Sequence, residues 1–147
     1  YGTVTGVQTC ALPISPTQVV SAGHAYSPVL SPDGRLLAYN HTDPVSKQSR
    51  IVILPAEGGA PVKIFELPQS AGGLVRWAFE GTGVTYADDR TGASEIWFQP
   101  LDGGAPRQLT NFQTERIFSF AWSADGRSLA VSRGARVADA VMITNVR

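Results

Sequence analysis

The stretch SPDGRLLAY (Ser31–Tyr39) returns far downstream as SADGRSLAV (Ser123–Val131), nearly letter for letter. Extending both strings by one residue and searching between them exposes a weaker third copy. LSPDGRLLAY (Leu30–Tyr39) aligns with WAFEGTGVTY (Trp77–Tyr86) and with WSADGRSLAV (Trp122–Val131), and Gly34, Gly81 and Gly126 then recur at steps of 47 and 45 residues. A second landmark keeps the same step: LPAEGGAPVKIF (Leu54–Phe65) matches QPLDGGAPRQLT (Gln99–Thr110), 45 residues on. The two-residue surplus of the first copy falls within NHTDPVSKQSR (Asn40–Arg50), a polar stretch that suits a loop. A period near 45 held by independent landmarks is the signature of a repeat architecture.

Each copy reads as four short strands. The first is YSPVLS (Tyr26–Ser31), LVRWAF (Leu74–Phe79) or IFSFAWS (Ile117–Ser123). A tight turn follows, in which Gly34, Gly81 or Gly126 supplies the positive φ that glycine adopts at least cost. The second strand is RLLAYN, GVTYAD or SLAVSR, and the third is RIVILPA, EIWFQPL or AVMITNV, rich in β-branched and aromatic residues. A GGAP turn leads to the fourth, VKIFEL or RQLTNF, and the third copy stops before one. No stretch sustains an apolar period of 3.6, so no helix is predicted. The strands are apolar at consecutive positions, as in IVIL (Ile51–Leu54), which demands burial on both faces. Blades packed radially against one another provide that burial. The expected fold is therefore all-β: a partial β-propeller of about three four-stranded antiparallel blades, at about 22–68, 70–112 and 114–147, the last incomplete.

These strings, together with GASEIWFQPLDGGAPRQLTNF (Gly92–Phe112) and VSRGARVADAVMITNVR (Val131–Arg147), resemble TolB-type propeller repeats, bacterial relatives of WD repeats. The resemblance covers about residues 22–147 and implies a six- to eight-bladed propeller that binds a ligand or protein. The closing segments also resemble propellers attached C-terminally to bacterial serine/threonine kinases, so the leading expectation is a non-catalytic C-terminal sensor or interaction part of such a larger protein, which the resemblance would place on the extracytoplasmic or periplasmic side. Two other settings fit such repeats: the propeller gate of a prolyl-oligopeptidase-like serine peptidase, and the sensory half of a winged-helix transcription regulator. The middle copy departs from the pattern, with FEGTG where the others have SPDG or SADG, so a less regular turn is expected there.

Composition narrows the function classes. Twelve basic residues balance twelve acidic ones, leaving no field to gather nucleic acid or an anionic membrane. No apolar run is long enough to span a bilayer, and the single cysteine, Cys10, excludes a disulfide framework. Residues 1–15 lack the regions of a signal peptide. VTGVQTCALPI (Val4–Ile14) instead resembles a common short-read sequencing adapter translated in frame, so 1–15 is expected to be a non-native leader and 16–147 a piece of a longer propeller protein.

Candidate chemistry mostly dissolves into scaffold. No GxSxG, no GxxxxGK[ST] and no metal-ligand spacing occurs around His24 or His41, so no catalytic residue, cofactor or metal is predicted. Asp33 and Asp125 look like a carboxylate pair, yet each precedes a turn glycine and should bond its own turn. DDRTG (Asp88–Gly92) lacks the spaced ligands of an EF-hand and reads as a polar connection, and His41 as a solvated loop residue. Trp77 and Trp122 occupy the position of Leu30, a replacement that a core site tolerates and a base-stacking platform does not.

What remains is the set of connections entering each first strand: GHAYSP (Gly23–Pro28), AGGLVR (Ala71–Arg76) and QTERIF (Gln113–Phe118). A propeller gathers such segments on one face. His24, Tyr26, Arg76, Arg116 and Phe118 are accordingly the candidate contacts for a protein, a peptide or a small ligand, with further blades of the same protein as the other expected partner. Arg76 stands out as a cation within an apolar strand; it is either packed along its stem or an anchor for a carboxylate. Uncovered end blades should also make the isolated chain prone to self-association, because each buried large apolar side chain is worth roughly 1.5–3 kcal/mol.

Overall fold

The computed structural model describes residues 24–90 and 92–135. Among these described residues, ten strands form three antiparallel sheets. The first contains β1 (His24–Leu30), β2 (Leu36–Thr42), β3 (Ser49–Pro55) and β4 (Lys63–Leu67). The second contains β5 (Ala71–Trp77), β6 (Gly83–Asp88), β7 (Glu95–Pro100) and β8 (Arg107–Gln108), and the third β9 (Arg116–Trp122) and β10 (Leu129–Gly134). Strand order follows chain order throughout, so each sheet is a meander. The sheets approach one another most closely through β1, β2 and β5 and through β5 and β9, so the first strands lie side by side at the narrow end of three stacked blades. This is a partial β-propeller, as the repeat predicts. The expected leader at 1–15 and the strand expected at AVMITNV (Ala140–Val146) lie outside the described residues.

Consecutive apolar residues are buried because both sheet faces are covered. Ile51 to Leu54 are all buried, and β6 is buried at each of its six positions. Ala38, Ile51, Ile53 and Leu67 of the first blade meet Ala71, Val75, Trp77, Val84 and Tyr86 of the second. On the other side of the second blade, Ala87 and Ile96 meet Ile117 and Phe120 of the third.

A hydrogen bond accompanies this packing at each seam, always from the same repeat position. The Trp77 indole Nε1 donates to the backbone oxygen of Val29 at 2.9 Å. Trp122 donates to the Thr85 hydroxyl at 3.2 Å, which in turn donates to the backbone oxygen of Arg76 at 3.2 Å. Val29 and Arg76 are repeat equivalents, as are Ala38 and Thr85. Where alanine leaves space, the indole reaches the carbonyl directly; where threonine fills it, the hydroxyl relays. Leu30 holds the tryptophan position in the first blade and is 56% exposed.

The turns interlock by a second rule. Gly34, Gly81 and Gly126 have φ of 72°, 70° and 66°, as predicted. A Cβ on Gly81 would touch the Pro32 ring at 3.7 Å, and one on Gly126 would fall 2.3 Å from Phe79. Pro32 and Phe79 are again equivalent positions, so each blade rests a knob on the turn glycine of the next. The same place at Gly34 has no atom within 4 Å.

The FEGTG turn is less regular, as expected: one turn of 3-10 helix, Phe79–Gly81, with Glu80 in the left-handed region at φ 58°. Ala78 there replaces the serine that organises the other two turns. Two other details depart from the sequence reading. The fourth strand of the second blade shrinks from RQLTNF to Arg107–Gln108, because the Thr110 hydroxyl, not a backbone oxygen, accepts the Ile96 N–H at 2.9 Å. His41 lies within β2, partly buried opposite Arg50, and not in a loop.

Two contrasts test these rules. Trp77→Leu should cost about 2–4 kcal/mol in urea unfolding, through an unfilled seam and a lost bond, whereas Leu30→Ala should cost less than about 0.5 kcal/mol. Gly34→Ala and Gly126→Ala both strain a positive φ, and only Gly126→Ala also meets Phe79, so its thermal midpoint should drop further.

Candidate functional site

An antiparallel meander sends alternate loops to opposite faces. The loops at 43–48, 68–70, 89–94 and 109–115, which lead into or flank the first strands, share one face; the turns at 31–35, 78–82 and 123–128 share the other.

On the turn face, Asp33 and Asp125 perform the same local task twice. The Ser31 hydroxyl donates to Asp33 Oδ1 at 2.5 Å, and the Arg35 N–H donates to the same oxygen at 3.1 Å. Ser31 Oγ then accepts the Leu36 N–H at 2.9 Å. Ser123, Asp125, Arg127 and Ser128 repeat this at 2.6, 3.1 and 2.9 Å. The bonds from Ser31 and Ser123, then those from the Arg35 and Arg127 amides, hold both carboxyls below their ordinary range. They are turn fasteners, as their place before glycine suggests, and belong to separate blades. Between the first two turns lies an open crevice of about 350 Å³ lined by Pro32, Asp33, Trp77 and Glu80.

The opposite face carries a denser polar lattice. Asp88, fully buried at the end of β6, accepts hydrogen bonds from Ser70 Oγ at 2.6 Å, from the Arg90 N–H at 3.0 Å and from the Arg90 guanidinium. That guanidinium also lies over the Trp97 ring, 4.2 Å from its centroid. Asp89 accepts from the Ser94 hydroxyl and from Arg116 Nη2, the latter at 2.9 Å, while its own N–H bonds the Ser70 oxygen at 3.1 Å. Farther round, Arg133 donates to the Thr114 oxygen at 2.6 Å, pairs with Glu115 at 3.3 Å and lies over Phe112 at 4.0 Å. The lattice ties the loop of the second blade to the connections on either side of it. Asp88 to Arg90 of DDRTG thus form a polar connection in fact, although the spacing gave no hint of how many partners they gather.

Against this frame the five candidate contacts separate. His24 and Tyr26 share β1; His24 is exposed, and Tyr26 is 38% exposed with its hydroxyl 3.2 Å from Thr42 Oγ1. The Tyr26 ring lies over Gly73, where a Cβ would come within 2.7 Å of Cε2. Gly73 is the repeat equivalent of Tyr26, and its missing side chain makes room for the ring. Phe118 holds the same position in the third blade and is 44% exposed. Arg116 leads into β9 on this face but is already paired with Asp89. Arg76 stands near the far end of β5, turned into the seam between the second and third blades. Its Nη1 donates to the Val75 oxygen at 2.7 Å, and the guanidinium carbon lies 5.9 Å from the Phe120 ring centroid. The free surface of the candidate set is therefore His24, Tyr26 and Phe118, one imidazole and two aromatic rings on inner strands. Among the described residues no three His, Cys, Asp or Glu side chains come together as a metal site.

Lowered carboxyl pKa values fix the sign of a pH effect. Stability from the Asp33 and Asp125 turns is present above the unfolded carboxyl value of about 3.9 and is lost as pH falls through the lower folded values. The stability gap between the parent chain and Asp33→Ala/Asp125→Ala, followed by urea titration, should be constant near neutrality and should narrow below about pH 4.

No protein-family model matches the chain. It is 31% identical over 115 residues to Tricorn protease homolog 1 of Streptomyces coelicolor, a match covering 76% of this chain and 10% of that protein. The chain thus spans about a tenth of the length of this relative. Among solved structures, the β-propeller domain of the Trilobed protease from Pyrococcus furiosus superposes with a TM-score of 0.54 at 23% identity, covering 74% of this chain and 34% of that one. An acylaminoacyl peptidase in complex with Z-Gly-Gly-Phe-chloromethyl ketone gives 0.55 at 21% identity, over 74% and 17% of the two chains. These likenesses show the fold: the three blades are part of a β-propeller.

Proposed function

We propose that this chain is a non-catalytic binding part of a propeller that serves a peptidase, its inner-strand face contacting polypeptide on the way to a catalytic domain elsewhere. The likeness to Tricorn protease homolog 1 carries the reading, because it holds through 76% of the chain. Two propeller structures named for a protease and a peptidase support it. The sequence alone favoured a kinase-linked sensor; the comparisons favour the peptidase setting.

Chemistry of the face agrees with a polypeptide ligand. Tyr26 and Phe118 offer apolar rings, and the Tyr26 hydroxyl and the His24 imidazole supply polar contacts at low conformational cost. The charge-balanced composition gives no reason to favour strongly anionic ligands over ordinary unfolded chain.

Fluorescence anisotropy with labelled, unfolded casein fragments tests this. The chain should bind them, and His24→Ala/Tyr26→Ala should weaken binding by about tenfold, an effect of about 1.4 kcal/mol. Absence of binding, or equal affinity of the parent and the double variant, refutes the reading.

A further inference from the structure

The turn face carries a pair of carboxylates at each seam and treats the two pairs differently. Asp33 and Glu80 belong to the turns that flank the first seam; Glu80 and Asp125, at the corresponding repeat positions, belong to those that flank the second. At the second seam the knob is Phe79, and a Cβ on Gly126 would fall 2.3 Å from it. At the first seam the knob is Pro32, smaller and farther off, 3.7 Å from the same point on Gly81. The difference leaves the crevice of about 350 Å³ between the first two turns, with Pro32, Leu36 and Trp77 among its walls. That volume falls within the range of roughly 300–1,000 Å³ typical of ligand pockets.

The walls have few donors left to offer. The Ser31 hydroxyl donates to Asp33, the Leu36 N–H to Ser31 Oγ, the Gly81 N–H to the Ala78 oxygen and the Trp77 indole to the Val29 oxygen. An anion would find little to bind; what remains is carbon surface and negative charge. The Glu80 carboxylate has no hydrogen bond or ion pair among the described residues. The turn hydrogen bonds keep Asp33 ionised near neutrality, and its pairing with Arg35 is loose, at 4.0 Å between exposed side chains.

We propose that this crevice takes a basic side chain of a polypeptide, its cationic head between Asp33 and Glu80 and its alkyl stem along Pro32, Leu36 and Trp77. Arginine fits best, because its weakly hydrated plane packs on apolar and aromatic surface and forks onto carboxylates. The open shape of the crevice assigns it to a polypeptide. A free small molecule is held by burying about 70–90% of its surface, which an open crevice does not do. A side chain presented on a chain needs only its tip held. The turn face lies at the other end of the blades from His24 and Tyr26, so this inference is independent of the peptide-binding reading.

Amide NMR of the whole isotope-labelled chain, titrated with a tripeptide Ala-Arg-Ala blocked at both ends, tests it. Saturable shifts should appear at Asp33, Gly34, Glu80 and Gly81 and at the Trp77 indole N–H. Citrulline in place of the arginine, which keeps the shape and loses the charge, should weaken binding by about tenfold. Glu80→Gln should weaken it by about threefold to fivefold, the effect of one exposed ion pair. Pro32→Phe, which gives the first seam the knob of the second, should abolish the shifts while the far-ultraviolet circular dichroism spectrum stays that of the parent. Should that variant fail to fold, Glu80→Gln still decides, because it alters a carboxylate with no partner to lose. Propylguanidine, the side chain without its backbone, should bind more weakly than the tripeptide. Equal affinity for the arginine and citrulline peptides, unchanged affinity in Glu80→Gln, or shifts confined to His24 and Tyr26 overturns the proposal. Propylguanidine that binds as tightly as the tripeptide overturns the assignment to a polypeptide.

Discussion

The structure depends on the seam, where one sheet face meets the next. A four-stranded meander with apolar residues on both faces is unstable alone, because half of what it must bury has nothing to lie against. Stacking removes that difficulty only if the sheets meet at matched positions. Here the matching rests on a tryptophan indole addressing a carbonyl of the preceding blade, flanked by a knob seated on a glycine. The indole contributes area and direction at once: its ring fills the seam, and its single N–H accepts only one alignment of the two sheets. Apolar packing supplies most of the energy, and the polar contact selects the register.

The Ala38/Thr85 pair shows how a repeat tolerates variation without losing that alignment. The carbonyl at Val29 or Arg76 is fixed by the backbone, and the donor at Trp77 or Trp122 by its strand. What stands between can be a methyl group or a hydroxyl, provided the chain of donors and acceptors stays complete. A buried hydroxyl without a partner would be costly; Thr85 escapes by accepting from one neighbour and donating to another.

Most of the fold was legible because the repeat is a comparison of the chain with itself. Three aligned glycines located the turns, and consecutive apolar strands required two covered faces. The substitution of tryptophan by leucine at Leu30 marked a core position, though not that this leucine itself lies exposed. Legibility failed where a side chain did the work of backbone, as Thr110 does in cutting short the fourth strand of the second blade. It failed again at His41, whose polar neighbours disguised a strand end. The candidate face was only partly readable. Its location followed from topology, but which residues are free there depends on partners distant in sequence: Arg116 is taken by Asp89, 27 residues away, and Arg76 by the ring of Phe120. No local pattern announces such pairings, and the Asp88–Asp89–Arg90 cluster has no counterpart in the first blade from which to infer them.

The glycine seats divide the two ends of the blades into unequal territories. A residue added to the loop at 43–48 lengthens only that loop, as the two extra residues of the first copy show, whereas a residue added to the turn at 123–128 would lift Gly126 off Phe79 and spread the stack. Tinkering with chain length is consequently permitted at one end and forbidden at the other. Sister sequences should record this as ragged gaps along the rim that carries Asp43 and Asp89, set against an ungapped hem along the rim that carries Asp33 and Asp125.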